Sequence, residues 1–343
     1  MTNKMTSAAL EARVVRYEDL RPCTTAFIDT RTPGSEKKEN FTIIGPGVAE
    51  NPDQYVHITL PHGFNIGGAR QPPGCVNSQH SHNTAEVFVV HTGHWRFKTG
   101  ANGDDGYVDL GPGDVISIPV RAFRGFENIG RDVGFLFAIL GGDDPGHVTW
   151  APYVFKSAAI YGMVLLEDGR LIDTTKQPIP AGAVPMRPTT DADVAEYDHY
   201  DSAAIARCTA RAQTFAPGGG LSEFDGFAEC PIVGVENSAE GSPAGPLSWA
   251  HGFQLRALKL ASGARSPAHI RHEEEVLFLH SGQLTVDWSG GSLALGVGDT
   301  FTVPKGLVRS FRNDGVREAV VYVVRGGDHP APARVLSSLH EPV

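Results

Sequence analysis

The feature that most limits how this chain can fold is a stretch that occurs twice. GCVNSQHSHNTAEVFVVHTG runs from Gly74 to Gly93, and GARSPAHIRHEEEVLFLHSG runs from Gly263 to Gly282. Gly74 and Gly263, His80 and His269, Glu86 and Glu275, and Gly93 and Gly282 are each 189 positions apart. The register continues upstream to His62-Gly63-Phe64 and His251-Gly252-Phe253. Farther on, GDVISIPVRAFRGFEN from Gly113 matches GDTFTVPKGLVRSFRN from Gly298 at an offset of 185, so four residues (189 − 185) are missing from the intervening hairpin. A repeat of this length implies two copies of one supersecondary unit rather than one continuous fold.

The first copy sets His80, His82 and Glu86 between two glycines. On a strand, residues two apart share a face, so both imidazoles point the same way. Glu86 has the same parity, but a straight strand would carry it about 13 Å beyond His82. Asn83-Thr84-Ala85 must therefore bend, so that three ligand-type side chains converge where the chain turns. Imidazole and carboxylate donors suit borderline or hard divalent cations, and two histidines with one carboxylate form the facial triad that serves non-haem Fe(II) with positions left open. Mn(II) follows closely, and Ni(II) or Zn(II) bind the same donors. The alternative is a polar interior satisfied by hydrogen bonds alone.

At these residues the chain resembles the cupin superfamily, whose first motif reads G-x5-HxH-x3-E-x6-G and whose second reads G-x5-PxG-x2-H-x3-N. Gly74, His80, His82, Glu86 and Gly93 match the first motif throughout. In the second, Gly113, Pro119 and Asn128 match, whereas Arg121 replaces a glycine and Arg124 stands where the family places a fourth, histidine ligand. The later copy keeps Gly263, His269, Glu275, Gly282, Gly298, Pro304, Gly306 and Asn313, but Arg271 replaces the second histidine and Arg309 the motif-two histidine. The resemblance implies an all-β chain of two tandem antiparallel cupin barrels of the double-stranded β-helix or jelly-roll type. It leaves the chemistry open, because one barrel carries many reactions.

A guanidinium stays protonated and cannot ligate a cation. Arg124 therefore either clamps an anionic substrate beside the ion, as a catalytic and substrate-binding residue, or pairs with Glu86. In the second copy, Arg271, Arg309 and Glu275 form a buried ion cluster on this reading, leaving that barrel without a metal. Phe88 and Phe126 offer an apolar wall for the substrate. His62 is a further candidate ligand; His62, His91, His251 and His280 otherwise read as surface or interface histidines, and His147 and Trp150 as lid residues.

A length of 343 residues suits two domains. The 40 glycines and 24 prolines fit many short strands joined by tight turns. Strands are expected at 41–44, 55–60, 64–69, 86–91, 94–99, 107–110, 115–119, 123–128 and 133–140, a helix over Ala151 to Tyr161 capped by Thr149, a hairpin at Asp168-Gly169, a helical turn from Asp191 and a last helix near Val335 to Leu339. The organisation reads as an N-terminal arm (1–40), a first barrel (41–141), a linker (142–204), and a second barrel with its tail (205–343). The net charge of −10 argues against a nucleic-acid surface. No apolar run indicates a leader or a membrane span, and the four cysteines lack CxxC spacing. These point to a soluble cytoplasmic protein with free thiols, and the resemblance implies a homo-oligomer, since cupin barrels commonly pair.

The function expected from these residues is an Fe(II)-dependent dioxygenase of the first barrel, taking dioxygen and a small anionic, possibly aromatic, substrate. The resemblance extends distantly to gentisate and salicylate dioxygenases. Those bind iron with HxH and the motif-two histidine and lack the glutamate, whereas Glu86 is present here and that histidine is Arg124. The alternatives are a non-oxidative metal-dependent lyase, decarboxylase or isomerase, and a non-catalytic binding or storage protein.

Overall fold

The computed structural model describes residues 5–341; the ends of the N-terminal arm (1–4) and of the tail (342–343) lie outside the described residues. The chain divides into two compact units, one formed by residues 21–212 and the other by 213–343 together with 1–20.

In the 21–212 unit two sheets contain the expected strands, joined by Val76–Ser81, Thr149–Trp150 and Thr209–Ala210, which are not among the strands expected from the sequence. One sheet runs in the order Thr149–Trp150, Val76–Ser81, Arg124–Asn128, Trp95–Thr99 and Gly106–Leu110. The other runs Thr209–Ala210, Val115–Ile118, Glu86–Thr92, Gly134–Gly141, Phe64–Gln71, Glu39–Ile44 and Val56–Ile58. Nearly all pairings are antiparallel; Glu39–Ile44 with Val56–Ile58 is parallel. Phe88, Val90, Trp95, Phe97, Leu110, Ile116, Phe126 and Leu136 fill the interior. Each such aromatic or large aliphatic side chain contributes about 1.5–3 kcal/mol on burial.

The helix Pro152–Ile160 forms as expected, but Thr149 does not cap it. Thr149 is taken up in a strand pairing with Ser81, and Ala151 occupies the cap position without a side-chain bond. Thr190, by contrast, forms a complete capping box over Asp191–Val194. The hairpin with Gly169 at its turn forms between Met163–Leu165 and Leu171–Asp173.

The other unit repeats the arrangement. Its sheets run Val14–Val15, Thr300–Val303, Glu275–Ser281, Ala319–Gly326, Phe253–Leu260, Phe227–Val233, and Gly291–Leu295, Leu284–Trp288, Arg309–Arg312, Ala268–Ile270, Arg334–Leu336. The N-terminal arm supplies an edge strand here, with Val14 opposite Phe301 and Val15 opposite Thr300. The segment expected as a terminal helix is instead the strand Arg334–Leu336, pairing with Ala268–Ile270. The open edge beside His269 accepts an extended β-branched segment more readily than a helix.

Candidate metal centre

His80 lies near the end of Val76–Ser81, His82 follows it directly, and the backbone bends at Asn83 and Thr84 before Glu86 opens the next strand. The expected turn is thus present. Its carbonyl edge is fastened by the backbone N–H of Arg121 donating to the His82 carbonyl. Arg121 adopts φ 64°, a left-handed conformation that a non-glycine residue holds at some cost. In the second unit Gly306 occupies the same place at φ 77° and donates to Arg271 in the same way. The motif glycine replaced by Arg121 is therefore explained by backbone geometry.

One donor atom from each of His80, His82 and Glu86 lies within 4.8 Å of the others, and all three residues are buried. Donors on one ion bonded at about 2.1 Å sit roughly 3–4 Å apart, so an ion would require only a small contraction. Nδ1 of His80 donates to the Ser78 carbonyl at 2.7 Å, which leaves Nε2 as a lone pair. Nε2 of His82 is 3.8 Å from Oε1 of Glu86, and its buried Nδ1 has no hydrogen-bond partner among the described residues. Burial, reinforced by the charge of Arg124, holds both imidazoles well below their usual range, so they are neutral and able to ligate. The donor set thus fits a divalent cation.

Arg124 is fully buried. Its guanidinium pairs with Oε2 of Glu86 and donates to the His80 carbonyl at 2.9 Å. Of the two roles open to it in the sequence, the structure places it in the pairing with Glu86. That pairing engages one carboxylate oxygen and leaves Oε1 toward His82. Burial still pushes the Glu86 carboxyl up against the pull of Arg124.

The triad opens into a cavity of about 70 Å³, walled by Phe41, Ile66, Phe88, Phe126 and Leu140, with Asn40 and Gln54 also on its lining. Phe88 and Phe126 are thus where an apolar wall requires them. The rings of His80 and Trp150 are 5.1 Å apart, and Nε1 of Trp150 donates to Glu50 at 2.5 Å. Trp150 is consequently a buried support behind His80, not a lid, whereas His147 is exposed. His62 is not part of the ligand group. His62, His91 and His251 are buried, contrary to the surface reading.

The second unit shows what the same frame becomes without the triad. By the two offsets, Asn40, Gly67, His82, Glu86, Arg124 and Leu140 correspond to Glu229, Arg256, Arg271, Glu275, Arg309 and Arg325. Strand pairing supports the correspondence: Gly67 opposite Ala138 matches Arg256 opposite Val323, and Glu86 opposite Leu140 matches Glu275 opposite Arg325. In that unit Glu275 is met by Arg309 at 2.7 Å, Arg325 at 2.8 Å and Arg271 at 3.6 Å. Glu229 is met by Arg256 and by Arg325, each at 2.6 Å, and Glu240 pairs with Arg271. The ion cluster read from the sequence is present, and it is larger than expected. Burial alone would raise the Glu275 carboxyl, but the three guanidiniums outweigh it and hold the group well below its usual range.

Glu86 has one guanidinium where Glu275 has three. The first barrel offers in exchange two neutral imidazole donors and open space, which is the charge deficit a divalent cation would fill. The sequence did not reveal that Arg256 and Arg325 would fill the second barrel. Their counterparts, Gly67 and Leu140, offered a signal, because a small and an apolar residue stand in the first copy where the second has arginine.

The Cupin domain family matches residues 257–325. No curated protein sequence matches the chain. Among solved structures, oxalate decarboxylase from Bacillus subtilis at pH 4.6 is similar with a TM-score of 0.54 at 15% identity, over 94% of this chain and 78% of that one. A Bacillus subtilis oxalate decarboxylase structure described for its Mn(II) centres gives 0.53 at 15% identity, over 94% and 79%. The formate complex of oxalate decarboxylase from Lactobacillus farciminis gives 0.53 at 12%, over 94% and 88%. Residues 257–325 thus match a Cupin domain, and the whole chain has the fold of two tandem cupin barrels, as in these solved structures.

Proposed function

We propose that the 21–212 barrel is a metal-dependent, non-oxidative enzyme centre, a decarboxylase or related lyase for a small anionic substrate. The observation that carries this reading is the convergence of His80, His82 and Oε1 of Glu86 on the lining of one cavity. His80, His82 and Glu86 would hold the ion, and Mn(II) is the cation we expect, since Mn(II) centres are described in a protein of similar fold. When bound, the ion supplies a Lewis-acid centre for a carboxylate or carbonyl oxygen.

The chain's own residues account for the remaining tasks. Arg124 holds Oε2 of Glu86, fixing the carboxylate to present one oxygen, and its buried charge favours negative charge developing nearby. Phe88, Phe126 and Leu140 exclude water, which strengthens those interactions. Trp150 and the Ser78 carbonyl fix the ring of His80.

A dioxygenase is the second reading, favoured by the two-histidine, one-carboxylate donor set, which is also that of non-haem Fe(II) oxygenases. The test is to load the purified protein with Mn(II) or Fe(II) and supply oxalate, 2-oxo acids and hydroxy-aromatic acids. CO₂ release without oxygen consumption is expected with Mn(II). Oxygen uptake stoichiometric with product would replace this reading by the second, and absence of any bound metal would sink both.

A further inference from the structure

The cavity holds amide groups that nothing in the fold uses. Asn40 is 7% exposed, and its Nδ2 has no hydrogen-bond partner among the described residues; neither end of the Gln54 amide has one. Both residues line the cavity that contains His80, His82 and Glu86. A buried amide without a partner costs free energy, so two of them in the lining of one cavity imply an absent hydrogen-bonding group.

The second barrel measures the gap. There Glu229 stands in the place of Asn40, and one guanidinium, that of Arg325, bonds Glu275 Oε2 at 2.8 Å and Glu229 Oε1 at 2.6 Å. In the first barrel Leu140 takes the place of Arg325 and withdraws that bridge. A ligand reaching from the metal ligands to Asn40 thus spans about one guanidinium plus a methylene. The cavity of 70 Å³ agrees, with room for roughly five to seven water-sized groups.

We infer that the substrate is a short carboxylic acid whose carboxylate is held at the His80, His82 and Glu86 end and whose far end is an uncharged hydroxyl or carbonyl held by Asn40 and Gln54. The amides donate hydrogen bonds but carry no charge, and Arg124 is committed to Glu86, so a second carboxylate would be buried without a counter-ion. Phe41 and Phe126 favour a methylene body between the two ends. This inference rests on the metal reading above.

The test uses the full chain loaded with Mn(II), its metal content measured first, and calorimetric titration with 4-hydroxybutanoate, butanoate and succinate. 4-Hydroxybutanoate is expected to bind about three- to tenfold more tightly than butanoate, the range of one or two amide hydrogen bonds, and succinate more weakly than either. Asn40→Ala and Gln54→Ala should each erase most of that preference while leaving butanoate binding unchanged. The Gln54 side chain has no partner to lose, so its variant serves if Asn40→Ala fails to fold. A protein that retains Mn(II) yet binds succinate or butanoate as tightly as 4-hydroxybutanoate, or binds none of the three, overturns the inference alone. A protein that retains no Mn(II) overturns the metal reading and this inference together.

Discussion

Replacing Arg124 by Met separates a structural ion pair from a pair shared with a metal. The guanidinium is fully buried, bonds Oε2 of Glu86 and the His80 carbonyl, and is matched in size by an unbranched apolar side chain. In metal-free protein the variant leaves the Glu86 carboxylate buried with no cation, a loss of about 3–5 kcal/mol. The bond to the His80 carbonyl adds about 1 kcal/mol. For a unit of this size each kcal/mol moves the melting temperature by roughly 2–4 °C, so the first barrel should melt roughly 8–24 °C lower. With saturating Mn(II) the carboxylate recovers a cation through Oε1, and the deficit should shrink to little more than the carbonyl bond. The measurement is differential scanning calorimetry of wild type and Arg124→Met, each dialysed against chelator and then against Mn(II). Equal losses with and without Mn(II) would refute the reasoning, because Glu86 would then answer to Arg124 alone.

Other consequences can be measured with the same material. His80→Ala and His82→Ala should each abolish retention of about one equivalent of Mn(II), read by elemental analysis, without moving the melting of the second unit. Arg325→Met should cost the second unit about 1.5–3 kcal/mol, since it removes the guanidinium shared by Glu275 and Glu229 while Arg309, Arg271 and Arg256 still hold them, and should leave the metal content unchanged. Burial pushes the Glu50 carboxyl up to about 8 from 4.5, against the pull of the Trp150 and Ile28 N–H donors. The folded protein therefore keeps a proton that the unfolded chain releases, and stability contributed below pH 4.5 is lost as pH rises toward 8, on the order of 3–5 kcal/mol. Urea unfolding at pH 5, 6.5 and 8 should show this decline in wild type and a flatter profile in Glu50→Gln; parallel profiles would remove Glu50 as its source.

Much of the site was legible because its residues are local. His80, His82 and Glu86 lie within seven positions, and parity with one bend brings them together. The expected strands were equally legible as short apolar runs between turn residues, although some, such as Gly134–Gly141 and Val115–Ile118, are buried on both faces rather than one. What escaped the sequence depends on partners far along the chain. Val14 and Val15 gave no sign that they pair with Phe301 and Thr300. The segment at Val335 looked helical in isolation and is extended because Ala268–Ile270 offers it an edge. Trp150 read as a lid residue because its contact with His80 comes from strands some 70 positions apart (150 − 80). The role of Arg124 was left between two partners that composition cannot rank, and the interior geometry ranks them by distance.

The correspondence between Leu140 and Arg325 also has a practical meaning. One polypeptide carries the same scaffold in an open form and in a form plugged by its own arginines, so any spectroscopic probe, chelator or ligand applied to the molecule meets its own built-in blank. A signal that survives disruption of the first barrel but not the second cannot come from the triad, and no separately prepared reference protein is needed to recognise it.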